Sequence, residues 1–242
     1  MAADPYTYTY LTGALMLLAV WLLLYWRIPS LRREMVWIGV VSLLNAIPLE
    51  MLLWSHDWWH PATLTGTTPG PEDFVYGFAN QSTIGIAYPA LLVGAFRAQA
   101  GRMRPAPSLP MRLLPFLAQT ILPVLLVWGL HLHSSPATLA GTLIGLALML
   151  RVRRDLAPVA LGSAALGVVI AVPLFVVLDL VFPGVVRAHW FLDRLSGVTV
   201  LTAPLEDLLW YGYTAAFLGV YYKYWHGVAL QAPQRALQPL PA

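Results

Sequence analysis

The chain is poor in charge and contains no cysteine, and both shortages limit what it can be. Only 10% of its 242 residues are charged, whereas a typical soluble domain carries about a quarter. A fold surrounded by water could not bury so much apolar surface, so lipid must be its main solvent. Without cysteine the chain cannot form disulfides, thiolate metal sites or a cysteine nucleophile. The net charge of +3 is better explained by loop charges that set membrane orientation than by a surface for nucleic acid.

Apolar sequence is what the chain has in abundance, with 59% hydrophobic residues and a mean hydropathy of +0.68. A helix needs about 20 apolar residues to cross the roughly 30 Å hydrocarbon core of a bilayer. Runs of this kind predict an all-α integral membrane bundle of about seven transmembrane helices. The predicted helices cover residues 6–26, 35–54, 72–96, 112–132, 136–150, 156–182 and 201–224.

The basic residues predict the orientation of this bundle. Of the 14 Lys and Arg residues, only Arg187 and Arg194 fall in the loop before the last predicted helix, and the others fall on the opposite side. By the positive-inside rule, the N-terminus should be outside and the C-terminus cytoplasmic in a multi-pass protein of the cell membrane. No basic region precedes the first apolar run, so a cleaved signal peptide is not expected.

One pattern occurs twice in the chain. Each copy has a tryptophan, a loop with a glycine, and then proline and a Glu-Asp pair that open an apolar helix. The two copies predict two parallel three-helix repeats joined by a linker helix. The predicted units are residues 1–100 for the first repeat, 101–133 for the linker, 134–230 for the second repeat and 231–242 for a flexible tail.

Acidic residues fall inside or at the edges of the predicted helices, at similar depth in the outer part of the membrane. They are Glu50, Glu72, Asp73, Asp179, Glu206 and Asp207. Acids in a span are costly and usually face a protein interior or a cavity. We therefore expect both Glu-Asp pairs to be catalytic, with Glu50 and Asp179 supporting them. The alternative is ordinary helix capping, because acids after an initial proline complement the helix dipole.

Aromatic residues accompany these acids. The candidates for binding or supporting a substrate are Trp59, Tyr76, Trp190, Trp210 and Tyr211. At this depth an interfacial belt is the default explanation for Trp and Tyr. The alternative is a cavity whose ring faces stabilise a cation. The sequence has no Gly-x-Gly-x-x-Gly loop and no obvious metal-ligand set, so neither a cofactor nor a metal is expected.

Residues 204–212, which begin Pro-Leu-Glu-Asp, resemble the Pro-x-Glu-Glu/Asp motif of the lycopene cyclase domain family. This family comprises small transmembrane carotenoid cyclases, found as paired or fused halves. The fused form has two three-helix halves, each with a Trp-containing loop and a glycine before the motif. The first copy departs from the pattern, because Pro71 directly precedes Glu72.

The resemblance implies an isomerase of carotenoid biosynthesis that cyclises an isoprenoid without redox chemistry. In such enzymes a carboxylic acid protonates a terminal double bond, an internal alkene closes the ring, and a second group removes a proton. The leading reaction is closure of the ψ end groups of lycopene to β-type rings. The hydrophobic substrate would enter from the surrounding lipid.

Other classes of membrane protein would require residues at particular positions in this sequence. A retinal-binding protein needs a lysine in mid-helix, and the only lysine, Lys223, lies at the end of the last predicted helix. A prenyltransferase would need paired Asp-rich motifs, which are absent. Two alternatives stay open: a small proton-coupled transporter, for which repeated intramembrane acids are also typical, and a membrane terpene cyclase that acts on another isoprenoid.

Overall fold

The computed structural model describes residues 6–92 and 105–228, and it shows a bundle of α-helices. The helices are α1 (Thr9–Arg27), α2 (Arg32–Leu49), α3 (Ser55–Asp57), α4 (Pro71–Leu92), α5 (Leu109–Leu130), α6 (Ser134–Val152), α7 (Ala157–Val181), α8 (Val185–His189) and α9 (Leu205–His226). In the described part the sole sheet is a small hairpin of β1 (Thr199–Val200) and β2 (Ala203–Pro204). The predicted all-α class is therefore confirmed.

Five helical segments are long and apolar enough to cross a membrane. They are Thr9–Arg27, Pro29–Asp57, Leu109–Leu130, Ser134–Val152 and Arg154–Val181. The chain is thus a membrane protein. Helices α4 and α9 have 22 residues each, which also suffices in length, but their sequences are more polar. The count of seven crossings, the two-repeat layout and the orientation stay predictions.

The polar character of α4 and α9 follows from their central position. These two helices pack on each other; α1 and α2 pack on α4, while α6 and α7 pack on α9. Because their neighbours shield them from lipid, their side chains need not all be apolar. Glycine permits the closest of these contacts: a Cβ on Gly167 of α7 would lie 2.4 Å from the carbonyl oxygen of Tyr211 in α9.

All seven helix starts differ from the sequence-based boundaries, by one to four residues, and two of the differences have clear local reasons. Helix α9 begins at Leu205 rather than at Leu201, because the hairpin occupies residues 199–204. Helix α2 begins three residues before Met35, because a 3₁₀ turn, Pro29–Leu31, leads directly into it. Residues 93–96, the predicted end of the third span, lie outside the described residues, as does the predicted tail, 231–242.

A buried ion pair joins α9 to α2 at the end of the bundle remote from the repeated Glu-Asp pairs. The Lys223 ammonium in α9 bonds Glu34 in α2, and both side chains are almost completely buried. The same Nζ also donates to the carbonyl oxygen of Gly219, 3.2 Å away. The only lysine of the chain therefore has a structural role at this end of the fold.

Candidate active site

The two tryptophan loops of the repeated pattern meet each other. Their backbones form an antiparallel bridge at Trp59 and Trp190, and the ring centroids of these residues are 5.3 Å apart. The His60 amide donates to the His189 carbonyl at 2.7 Å, and the Phe191 amide donates to the Trp58 carbonyl at 3.0 Å. The loops therefore bring one tryptophan from each half to the same place.

A π-helical turn, Glu50–Trp54, follows α2 and lies next to the contact between the two tryptophan loops. Such a turn widens the helix locally, and π-bulges occur frequently at functional sites. Glu50 and Trp54 are both buried, and both line the same cavity. The turn thus adds a carboxyl group and an indole ring to the region where the tryptophan loops meet.

This cavity, the acidic cavity, encloses about 560 Å³ including its open mouth. Its carboxyl groups are those of Glu50, Asp73 and Asp207. Its aromatic lining comprises Tyr10, Trp54, Trp58, Trp59, Tyr76, Trp190 and Trp210. Among the residues that the structure describes, no lysine, arginine or histidine belongs to the lining. The described lining therefore combines three acidic groups with many aromatic rings.

Among the three carboxyl groups of the acidic cavity, Glu50 has the fewest hydrogen bonds. Its Oε2 accepts the indole N–H of Trp59 at 3.0 Å, whereas its Oε1 is buried without a hydrogen-bond partner among the described residues. Asp73 differs, because both of its oxygens accept. Its Oδ1 accepts from the Tyr10 hydroxyl at 2.6 Å, and its Oδ2 accepts from the Gly70 amide at 2.7 Å. One oxygen of Glu50 is therefore buried without a hydrogen bond from the described residues, unlike either oxygen of Asp73.

Asp207 is held by the two tryptophan loops together. Its Oδ2 accepts the indole N–H of Trp58 at 3.2 Å and that of Trp190 at 2.9 Å. One donor precedes the first copy of the repeated motif and the other precedes the second. This convergence fixes the Asp207 carboxyl group at the joint between the two halves of the chain.

The first member of each Glu-Asp pair has a different environment. Glu72 Oε1 accepts the Leu64 amide at 2.8 Å, and Glu206 Oε1 accepts the Ser196 amide at 2.7 Å. Each glutamate thus holds the loop before its own helix, and neither lines the acidic cavity. The two glutamates thus make matching contacts, each with a backbone amide of the preceding loop.

The structure does not bring Asp179 to the other acids. Its Oδ1 accepts the Gly184 amide at 3.0 Å, which closes the turn after α7. Tyr211 lies behind the acidic cavity, where its hydroxyl group is 2.9 Å from that of Tyr76. Of the remaining candidates from the sequence, Trp59, Tyr76, Trp190 and Trp210 do line the cavity.

Tyr10 and Gln81 also line this cavity, and neither was predicted from the sequence as a site residue. Tyr10 lies in an ordinary apolar run without any motif, so the sequence offered no signal for it. Within residues 6–92 and 105–228, no group of three His, Asp or Glu residues is arranged to hold a metal ion. The three carboxyl groups share one cavity but do not converge on one point.

Comparisons with known proteins agree with this architecture. No curated protein and no solved structure matches the chain. The model of a protein family described as lycopene cyclase matches residues 5–91 and 133–225, well over half of the 242 residues. The matched regions contain all three carboxyl groups of the acidic cavity and both tryptophan loops. The chain therefore belongs to the lycopene cyclase family, in its two-half form.

Proposed function

We propose that this protein closes rings on an isoprenoid by protonation and proton loss, with the ψ end groups of lycopene as substrate and β-type rings as product. Membership of the lycopene cyclase family indicates an enzyme of carotenoid cyclisation. The observation that carries the mechanism is the acidic cavity, in which three carboxyl groups face aromatic rings with no basic residue in the described lining. Protonation of an alkene needs a neutral carboxylic acid, and such apolar sites can keep an acid neutral.

Glu50 is the proposed proton donor. Its Oε1 is buried in the cavity wall without a hydrogen-bond partner among the described residues, so a proton there has no competing acceptor. Its Oε2 is held by the Trp59 indole, which fixes the direction of the carboxyl group. Transfer of this proton to the terminal double bond leaves a carboxylate on Glu50 and a tertiary carbocation on the substrate.

The aromatic rings of the cavity are proposed to stabilise this cation. Ring faces attract cations, and indole is the strongest of the natural side chains in this respect. Trp54, Trp59 and Trp190 are joined by edge or tilted ring contacts to further aromatic residues, which keep the rings in place. Attack of an internal double bond on the cation then forms the ring and moves the positive charge onto it.

Asp207 is the proposed base that removes a proton from the cyclised cation. Both of its hydrogen bonds from tryptophan indoles converge on Oδ2, whereas the hydrogen bonds of Asp73 occupy both oxygens. Asp207 therefore offers the better acceptor. One proton enters the substrate and another leaves it, so the product is an isomer and no electrons are exchanged. Proton exchange with water returns both carboxyl groups to their starting states.

Cyclisation in deuterated water tests this mechanism directly. The proton from Glu50 stays on the ring carbon it reached, while the lost proton comes from another carbon. The product should therefore gain one deuteron per ring formed, which mass spectrometry detects. A product lighter by two hydrogens would mean desaturation, and a cyclic product without deuterium would exclude a solvent-exchangeable acid.

A further inference from the structure

A second cavity adjoins the acidic cavity, and we call it the apolar cavity. It encloses about 530 Å³ including its open mouth. It shares with the acidic cavity the side chains of Tyr10, Trp59, Tyr76 and Trp190. The two cavities therefore lie back to back across the aromatic residues that surround the reacting group.

The walls of the apolar cavity come mainly from α1 and α7. Gly13 and Leu17 of α1 face Leu174, Phe175 and Leu178 of α7. In the described part of the chain, no Asp, Glu, Lys or Arg lines this cavity. The acid that follows Leu178 in the chain, Asp179, bonds the Gly184 amide instead. This cavity can therefore bind hydrocarbon, but no carboxyl group in it can protonate an alkene.

The outer surfaces of α1 and α7, the two walls of the apolar cavity, are apolar. Helix α1 packs mainly on α4, and α7 packs on α9 and α4, so the two walls are held by other helices rather than by each other. Both walls expose large apolar side chains on their outer surfaces, among them Leu15 and Met16 of α1 and Val177 and Leu180 of α7.

We propose that the apolar cavity binds the polyene chain of the isoprenoid whose end group lies in the acidic cavity. The inference rests on the proposed function, because it assigns the rest of the same substrate. An end group is only a small part of a long isoprenoid, and the remaining hydrocarbon needs an apolar site next to the acids. The apolar cavity is the adjoining site, because Tyr10, Trp59, Tyr76 and Trp190 line both cavities.

Gly13→Leu is the test, because it fills the apolar cavity without touching the carboxyl groups. A Cβ at Gly13 would lie 3.9 Å from Leu178 Cδ1, which is ordinary contact, so the further carbons of leucine must take up cavity space. Leu178→Phe fills the same space from the opposite wall and serves where the first variant does not fold. Gly129→Leu in α5 is the matched control, since nothing lies within 4 Å of its Cβ position.

Each purified protein is given lycopene, and in parallel a truncated acyclic hydrocarbon that carries one ψ end group and no long chain. Retained lycopene is measured by visible absorbance, and rings are counted by chromatography. We expect Gly13→Leu to retain and to cyclise at least tenfold less lycopene than the parent protein, yet to cyclise the truncated hydrocarbon at the parent rate. The Gly129→Leu control should match the parent with both.

Unchanged retention and cyclisation of lycopene by folded Gly13→Leu and Leu178→Phe would overturn the inference, as would equal losses with both hydrocarbons. A parent protein that retains no lycopene would also overturn it. Failure of the proposed function gives a different result. In that case the parent protein retains lycopene, Gly13→Leu does not, and neither forms a ring; this outcome supports the apolar cavity while it removes the cyclase mechanism.

Discussion

Replacing Glu50 by glutamine is the sharpest perturbation of the proposed mechanism. The amide has the size and shape of the carboxyl group, and its oxygen can still accept the Trp59 indole N–H that Glu50 Oε2 accepts at 3.0 Å. What the variant loses is the proton at Oε1, the buried oxygen without a hydrogen-bond partner among the described residues. This single substitution therefore removes the proposed catalytic proton while it keeps the hydrogen bond that positions the side chain.

The size of the effect follows from the position of the proton transfer in the reaction. General acid catalysis by a placed side chain contributes about 10²–10⁴-fold. Here the proton also starts the reaction, so we expect a loss near the upper limit, about 10⁴-fold or roughly 5 kcal/mol in the barrier. The free energy of unfolding should change by less than about 1 kcal/mol, because the protein hydrogen bond is kept.

Pigment analysis in a lycopene-accumulating host measures the activity, and thermal unfolding in detergent measures the stability. Asp193→Asn is the matched control, because it neutralises an exposed carboxyl group in the loop before β1. We expect the control to cyclise like the parent protein and Glu50→Gln to accumulate lycopene at an unchanged melting temperature. Ring formation by Glu50→Gln above a tenth of the parent level would refute the assignment of Glu50 as the acid.

Three further predictions concern the second acid, the loops and the topology. Asp207→Asn should remain folded and lose at least about 100-fold in ring formation, measured by the same pigment analysis, because the amide is a poor base. Glu72→Ala should lower stability by about 1–2 kcal/mol in thermal unfolding, since the Leu64 amide loses its acceptor, while Glu72→Gln should stay near the parent value. A reporter fused after Ala242 should be cytoplasmic and one placed near Gly66 external; both on one side would contradict the predicted orientation.

The helical class and the approximate helix positions could be predicted because apolar runs of membrane length are a strong local signal. The location of the site could also be predicted, because both copies of the motif begin helices that run in the same direction. The division of roles within each Glu-Asp pair could not. Consecutive residues of an α-helix point about 100° apart, so Glu72 and Asp73 cannot both face one cavity. The sequence alone does not say which of them does.

Two other features depend on tertiary structure that leaves no mark in a single sequence. The hydrogen bond from Tyr10 to Asp73 joins residues 63 positions apart, and no sequence pattern in the first apolar run predicts it. No sequence pattern predicts the π-helical turn at Glu50–Trp54 either. We therefore predicted Glu50 as a supporting residue from the sequence, and the proposal that it is the proton donor rests on its contacts in the structure.

The buried pair of Glu34 and Lys223 has a consequence for how the protein is made. The partners are 189 residues apart, so α2 is synthesised long before the lysine that neutralises its glutamate exists. A charge left unpaired in a buried position costs about 3–5 kcal/mol. The early helices should therefore remain loosely assembled in the membrane until α9 is inserted. Arrival of the last helix completes this end of the bundle, and a chain truncated before Lys223 should be removed by membrane quality control.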